Sequence, residues 1–544
     1  MFKFFDDNRK YILILSFALV MIYTFHHRML NDDAFISFRY AKNLVEGNGL
    51  VWNIGERVEG YSNFSWVLLA ALGLKLGIEP DIFTFLISIP IHLTALILIY
   101  MLAASVLRNC WYAMFVVLIV GFNHSVAGLT TSGLETPVQL LLFVASAWTM
   151  HLGFDKGWNF KRSISLSLLL NTAILTRPDS GLLIIVCIVG WIFTGGLKDK
   201  RNVIGVLTPF ILITLPWLIW KLAYYGTILP NSYNAKVHGL SGLRFGWFYI
   251  YIFLIFYALI PHTAMILWRG KDLILSSRTS AFLLIFTATW LVYIIFIGGD
   301  FMEFRFMVPI LPFIMILAVL ATKAYIADKR IVAALLLALA IGTANNMSSF
   351  ILQFFKYTVE RVEDLKGHLY NVDENWIVVG HRFKELFGGT DVTLGIGAAG
   401  AIPYYSGLPC IDFMGLTDKE VPKIGEPFSS MPGHRIIAPL DYLAKRGANL
   451  IVQPIRLMFS DMELKYWMRT ADWREIYRFF MDVEKPVNGE IITEAELIVI
   501  PIDQGYNLVV WYLVPNPEVD RVIREFNLRR VRVTRPRDIG QVYP

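Results

Sequence analysis

The chain has 544 residues, of which 56% are hydrophobic and 17% charged, with a formal net charge of +6 and a mean hydropathy of +0.54. That is too apolar for an ordinary soluble protein and points to an α-helical polytopic membrane protein in a lipid bilayer. Cys110, Cys187 and Cys410 lie far apart, so neither a disulfide framework nor a metal cluster follows from them, and nothing calls for a nucleic-acid partner.

The first apolar segment, residues 11 to 25, is preceded by Lys3, Arg9 and Lys10 and reads as a membrane helix anchored on the cytoplasmic side. His26-His27-Arg28 follow it in place of a small-residue cleavage site, the mark of a retained anchor. Next comes Asn31-Asp32-Asp33-Ala34-Phe35, which this parity brings out at the outer membrane boundary. Two adjacent carboxylates with limited hydration repel each other, so at least one should hold its proton more tightly than in water, as a general base requires. The competing reading is a pair of solvated loop acids or helix caps.

Over residues 35 to 46, Phe35, Phe38, Ala41, Leu44 and Val45 fall on one side and Ser37, Arg39, Lys42 and Asn43 on another, the pattern of a helix lying in the interface plane. Arg39 is near enough to the acids in sequence to pair with one of them or with a phosphate; a snorkelling arginine fits equally well.

Further apolar stretches fall near 82–107, 111–123, 137–153, 163–176, 181–196, 203–223, 246–268, 279–297, 306–322 and 331–347. Residues 64–78 are apolar but short, and whether they cross decides the side of every later loop. If they lie in the outer interface, Arg108, Lys156, Lys161, Arg162, Lys198, Lys200, Arg201, Arg269, Lys271, Arg278, Lys323, Lys329 and Arg330 all face the cytoplasm. The positive-inside rule favours this parity. It gives about eleven spans, each needing roughly 20 residues, a cytoplasmic N-terminus, a first outer loop over 26–81 and a periplasmic C-terminal domain.

The same parity gathers the polar, non-repetitive loops on one face. They are the acid pair, Gly55 to Asn63, Thr131 to Pro137, Thr176 to Asp179, Tyr224 to Lys236 and Gly298 to Phe306. Loops so rich in acids, amides, aromatics and arginine suit one cavity mouth, although Gly, Pro, Asn and Asp also punctuate helix ends.

From 348 to 544 the long apolar runs stop, and a folded α/β domain is expected, with strands near 391–396, 409–413, 448–453, 496–502 and 506–514. Gly395-Ile-Gly397-Ala-Ala-Gly400 matches a dinucleotide fingerprint. Pro403 leaves too little helix after it and Asp412 comes too early, so a tight strand-to-helix turn accounts better for these glycines. The chain thus divides into a membrane module over 1–347 and an α/β domain over 348–544. The tail carries Arg521, Arg524, Arg529, Arg530, Arg532, Arg535 and Arg537, a solvated basic tail or a grip on anionic lipid or polysaccharide.

Taken in order, Asp32-Asp33-Ala-Phe-Ile-Ser-Phe-Arg-Tyr-Ala, Gly-Glu-Arg-Val-Glu-Gly-Tyr-Ser-Asn63, Thr-Ser-Gly-Leu-Glu135-Thr-Pro, Thr-Arg177-Pro-Asp, Leu-Pro-Asn231-Ser-Tyr-Asn-Ala-Lys, Gly-Gly-Asp300-Phe-Met and Asp412-Phe-Met-Gly-Leu-Thr-Asp418 form an ordered set over nearly the whole chain. The set resembles the polytopic glycosyltransferases of the C superfamily (GT-C), most closely the mycobacterial terminal arabinofuranosyltransferase AftB and its relatives. The resemblance implies an outward-facing active site beneath a periplasmic domain in a bacterial inner (cytoplasmic) membrane. It also implies a polyprenyl-phosphate-linked sugar donor, with D-arabinofuranose the sugar of the nearest relatives, and a catalytic acid in the first outer loop. The acceptor would be an envelope glycan or a glycoprotein such as a pilin.

Moving a sugar from a lipid phosphate to a hydroxyl needs a carboxylate to take the proton and donors to hold the leaving phosphate. Asp32 is expected as base, with Asp33 orienting the acceptor or sharing that role. Arg39, Arg177, Lys236 and Arg305 are candidates for the donor phosphate. Glu59, Asn63, Glu135, Asp179, Asn231, Tyr233 and Asp300 are candidates for sugar or acceptor hydroxyls. His434, in a further family-like stretch, is a candidate for the acceptor or a structural loop histidine. No cofactor is required; a divalent cation bridging acids and phosphate is compatible with these residues, but no ligand spacing demands one. The rival class is a transporter or lipid flippase, but the chain has no internal repeat and its acids collect at one face instead of mid-span.

Overall fold

The computed structural model describes residues 8–236, 242–344, 359–428, 433–452, 458–460, 463, 494–502 and 505–534. The chain separates into two compact units: residues 1–30, 62–228 and 237–363 form the first, and 31–61, 229–236 and 364–544 the second. The first outer loop and the short 229–236 segment therefore group with the C-terminal residues.

The first unit is helical. Among the described residues, five helices are long and apolar enough to cross a membrane: Pro80–Leu107, Thr136–Lys156, Lys200–Tyr225, Arg278–Ile297 and Arg305–Tyr325. Two bent pairs, Cys110–Gly121 with His124–Thr131 and Gly242–Phe256 with Ile260–Ser276, raise this to seven if each is one span. Lys10–His26, Phe64–Lys75 and Pro178–Phe193 are apolar but shorter. The stretch 246–268, continuous in hydropathy, is in fact broken: the chain bends by 109° between its two helices, with Ala258 at a φ of 51°. Apolar run length carries no information about such a kink, which falls inside one continuous apolar stretch.

These helices pack on a core in which Phe143, Phe286, Trp290 and Phe313 interlock edge to face, at ring separations of 5.1 to 5.9 Å for the closest pairs. The Trp290 indole N–H is satisfied by the Phe306 carbonyl at 2.7 Å, so even the polar edge of that ring costs the core little.

The second unit is built on a seven-stranded sheet of order β2-β1-β5-β8-β7-β9, with β6 paired to β8. Its strands are β1 Leu394–Ile396, β2 Cys410–Asp412, β5 Leu450–Val452, β6 Met458–Ser460, β7 Glu494–Ile502, β8 Tyr506–Tyr512 and β9 Arg529–Thr534; β3 Glu426–Pro427 and β4 Ile436–Ile437 form a separate ribbon. β1 pairs parallel with both β2 and β5, while β8 and β7 extend the sheet antiparallel. Parallel neighbours need a crossover. Between β1 and β2 that crossover is the short helix Ala401–Ser406, hereafter the cradle helix. All five expected strands are present. The basic tail is solvated where it is described: Arg521, Arg524, Arg529, Arg530 and Arg532 are exposed, the last three in β9 with Arg530 paired to Glu496 of β7, and Arg535 and Arg537 lie outside the described residues.

Asp32–Val45 forms a 14-residue helix of the second unit, hereafter the acid helix. Asn31 caps it, its side-chain oxygen accepting from the Asp33 N–H at 2.8 Å, and both acids occupy the first turn, where the helix dipole favours negative charge. Ser37, Arg39 and Asn43, expected on a polar face, are buried together with Phe35, Phe38 and Ala41.

Candidate active site

Asp32 is 8% exposed, and its Oδ1 accepts a 2.7 Å hydrogen bond from the backbone N–H of Ala401, the first residue of the cradle helix. The turn before that helix makes the approach possible. A Cβ built on Gly400 would stand 2.0 Å from the Asp32 carbonyl oxygen and 2.6 Å from its carboxyl carbon, so any side chain there displaces the acid helix. The expected strand-to-helix turn is present, and its last glycine is required by contact with the acid. Burial is the main force on Asp32 and pushes its carboxyl up to about 7; the Ala401 bond opposes this, and the neighbouring Asp33 adds to it. Asp33 is half-buried. The two acids thus differ in exposure.

Arg39 stands seven residues further along the acid helix, with its donors directed at main-chain oxygens: Trp52 (2.8 Å), Leu408 (2.8 Å) and Pro403, with Asn53 Oδ1 at 3.3 Å. Its guanidinium also lies 4.6 Å from the Trp52 ring centroid. Through the Pro403 and Leu408 carbonyls Arg39 ties the acid helix to the cradle helix and the turn that follows it.

The Asn231 side chain donates to the carbonyls of Gly415 (2.9 Å), Leu416 (3.2 Å) and Asp418 (2.8 Å), and its own N–H donates to the Glu59 carbonyl at 2.8 Å. Gly60 packs into the same place, where a Cβ would lie 2.6 Å from Thr417 and 2.9 Å from the Leu416 carbonyl. Within that loop Asp412 is 1% exposed and collects the N–H groups of Met414, Gly415 and Thr417; burial raises its carboxyl to about 6. Three expected motifs therefore converge on one loop, held through backbone groups. Tyr233 is exposed, His434 is half-buried just before β4, and the side chain of Lys236 lies outside the described residues.

In the first unit Asn63, Glu135, Arg177 and Asp179 form one network. Glu135 accepts from Asn63 Nδ2 and from Arg177, both at 2.7 Å. Arg177 grips Asp179 through Nε (3.0 Å) and a terminal nitrogen (2.7 Å), and Gln139 Nε2 donates to Asp179 at 2.9 Å. Burial alone would raise the Glu135 carboxyl, but Arg177 and Asn63 together hold it below its ordinary value. Asp300 and Arg305 form a second bidentate pair at 2.6 and 2.9 Å. Both guanidiniums lie against the Phe306 ring, 5.3 Å for Arg177 and 5.4 Å for Arg305. Two arginines against three carboxylates leave this assembly one negative charge in excess.

Sequence reasoning missed Glu303, although it sits in the Gly298-to-Phe306 loop. It is fully buried, accepts from Ser125 Oγ (2.7 Å) and the Val362 N–H (3.0 Å), and its carboxyl is raised, chiefly by burial. His124, beside Ser125, pairs with Glu363 at 2.8 Å. No spacing rule links residues 124, 303 and 363. Among the described residues no group of three or more His, Cys, Asp and Glu side chains is arranged to hold a metal ion.

A family model described as a domain of unknown function (DUF8728) matches residues 371–507. The sequence is 27% identical over 354 residues to a terminal beta-(1->2)-arabinofuranosyltransferase of Corynebacterium glutamicum, a match covering 55% of this chain and 50% of that one. It is 23% identical over 229 residues to the Mycobacterium tuberculosis protein of the same name, covering 39% and 36%. The matches thus span about half the length of the first relative and about a third of the second. Among solved structures, ArnT of Cupriavidus metallidurans bound to undecaprenyl phosphate superposes with a TM-score of 0.55 at 12% identity, covering 92% of this chain and 98% of that one. The resemblance to GT-C glycosyltransferases is borne out: the sequence is similar to arabinofuranosyltransferases, and the fold is similar to that of ArnT.

Proposed function

We propose that this multi-pass membrane protein is a glycosyltransferase that moves a sugar from a polyprenyl-phosphate donor to a hydroxyl of an envelope glycan or glycoprotein, with Asp32 as the general base. The observation that carries the proposal is the seat of Asp32: a buried carboxyl at a helix start, held by one backbone N–H, with its proton affinity raised to about 7. A base whose pKa lies near the working pH is ionised often enough to act and basic enough to take a proton. As the acceptor oxygen attacks the anomeric carbon, Asp32 removes the hydroxyl proton. The bond from that carbon to the lipid phosphate oxygen breaks, and its electron pair leaves with the phosphate.

Arg177, Arg305 and Lys236 are the proposed partners of that phosphate. Both arginines are held in fixed orientation by carboxylates, and because those carboxylates outnumber them by one, Lys236 is the proposed source of the charge that offsets the excess. Glu135, Asn63, Asp179 and Asp300 would then act by holding those guanidiniums. Asn231 and Glu59 would act by fixing the 412–418 loop, and Asp33 by orienting the acceptor. D-arabinofuranose as the sugar is supported by the names of the curated relatives, and a polyprenyl phosphate by the ligand of ArnT.

The topology proposed with this reaction has about eleven spans, each of roughly 20 residues, a cytoplasmic N-terminus in the bacterial inner membrane, and a periplasmic domain over 348–544. The grouping of the acid helix with the C-terminal residues supports assigning the base to the same body as that domain. The test is sugar transfer by purified protein from polyprenyl-phosphate arabinofuranose, comparing the parent with Asp32→Asn. The proposal requires transfer by the first and its loss in the second.

A further inference from the structure

The second unit contains a cavity of about 400 Å³ that the proposed chemistry does not use, large enough for a small-molecule ligand. Lys42 of the acid helix, Glu46 just after it, Asn53, Thr393, Tyr404 of the cradle helix and Arg446 line it. We infer that this cavity is a saccharide-binding subsite, taking a neutral sugar unit of the acceptor chain at a distance from the reacting hydroxyl. The inference rests on the glycosyl-transfer reading above for the identity of the chain that fills it.

Three observations favour a neutral polyhydroxyl ligand. The lining mixes donors and acceptors, with amides, a hydroxyl, carboxylates and cations around one aromatic ring. Its wall carries three cations and two carboxylates, most of them already engaged: Arg446 pairs with Glu56 at 2.5 Å, Arg39 is bound to main-chain oxygens, and Lys42 stands four residues before Glu46. An anion would therefore meet a net charge of only +1, with the Arg39 and Arg446 guanidiniums already committed to protein oxygens. Tyr404 contributes the one aromatic ring of the lining, 7% exposed and fixed by Phe35 at 5.3 Å and Phe38 at 6.4 Å. The Lys42 ammonium sits 5.4 Å from its centroid.

Position argues for the acceptor. Lys42 and Glu46 follow Asp32 by ten and fourteen residues, which is roughly 15 to 20 Å along the chain at 1.5 Å per helical residue. That separation suits a sugar a few units back from the chain end. The cradle helix joins the two places, since its first N–H seats Asp32 and its Tyr404 lines the cavity.

The test measures binding of arabinan, mannan and malto-hexasaccharides to the full-length protein in lipid nanodiscs by saturation-transfer NMR. The variants are Thr393→Trp, which fills the cavity, and the double variant Lys42→Ala with Glu46→Ala, which removes polar contacts without adding bulk. At least one hexasaccharide should bind, with affinity about tenfold weaker in each variant, or about 1.4 kcal/mol. Inorganic phosphate should not displace it. Absence of binding by all three sugars, equal binding by parent and both variants, or displacement by phosphate overturns the subsite. Failure of the catalytic reading looks different: binding persists while Asp32→Asn transfers sugar at the parent rate.

Discussion

The N–H of Ala401 meets Oδ1 of Asp32 at 2.7 Å, joining residues 369 positions apart in sequence. An Asp32→Asn variant keeps this contact, because the amide oxygen accepts the same bond, but it cannot take a proton. Sugar transfer should fall by about 10²- to 10⁴-fold, the usual contribution of a general base. Stability should not fall with it. A carboxyl raised from 3.8 to about 7 is penalised when ionised, on the order of 4 kcal/mol at full ionisation. The penalty is absent below pH 3.8, grows as pH rises and is complete above about 7. Thermal unfolding at pH 8 should therefore show Asn at least as stable as Asp, with the difference shrinking at acid pH.

The same displaced titration sets the pH profile. Below about 7 the ionised fraction of Asp32 declines tenfold per pH unit, and kcat/KM should decline with it. Initial rates between pH 5 and 9 check this. An ordinary carboxylate as base would hold the rate flat down to about pH 5.

Gly400 admits no side chain, since a Cβ would come within 2.0 Å of the Asp32 carbonyl. Gly400→Ala should cost about 1–3 kcal/mol as an overpacked contact and reduce transfer by moving the acid. Ala401→Gly, which removes no hydrogen bond, should leave both nearly intact. Unfolding midpoints and transfer rates of the two variants decide it.

Arg177 satisfies Glu135 and Asp179 at once. Arg177→Ala removes the cation shared by two carboxylates, leaving them only Asn63 and Gln139, and should destabilise by about 3–5 kcal/mol. Glu135→Gln leaves Arg177 its Asp179 partner and should cost about 1–2 kcal/mol. Denaturation of both variants should give this order, and equal costs would remove Arg177 as the hub.

What the sequence disclosed divides along a physical line. The acid helix, the five strands over 391–514 and the apolar segments depend on hydrophobic periodicity and run length, which are local properties, and they could be read directly. Asn63, Glu135, Arg177 and Asp179 could be shortlisted as sugar or phosphate ligands because they sit in polar loops gathered on one face, although no spacing showed that they bond to one another. Side chains bonded to remote backbone were not legible. Arg39 carries the same residue type whether it meets a phosphate or the carbonyls of Pro403 and Leu408, and Gly400 looks like a turn glycine until Asp32 is placed against it. Main-chain groups are present at every position, so a contact to one leaves no compositional trace.

The most direct measurement is the initial rate of glycosidic-bond formation by the purified protein from labelled polyprenyl-phosphate arabinofuranose, for parent, Asp32→Asn and Asp33→Asn. Loss of at least about a hundredfold in a folded Asp32→Asn protein, with Asp33→Asn less impaired, is the expected result. Turnover by Asp32→Asn at the parent rate, or a parent protein that moves the lipid across the bilayer and forms no glycosidic product, would contradict it.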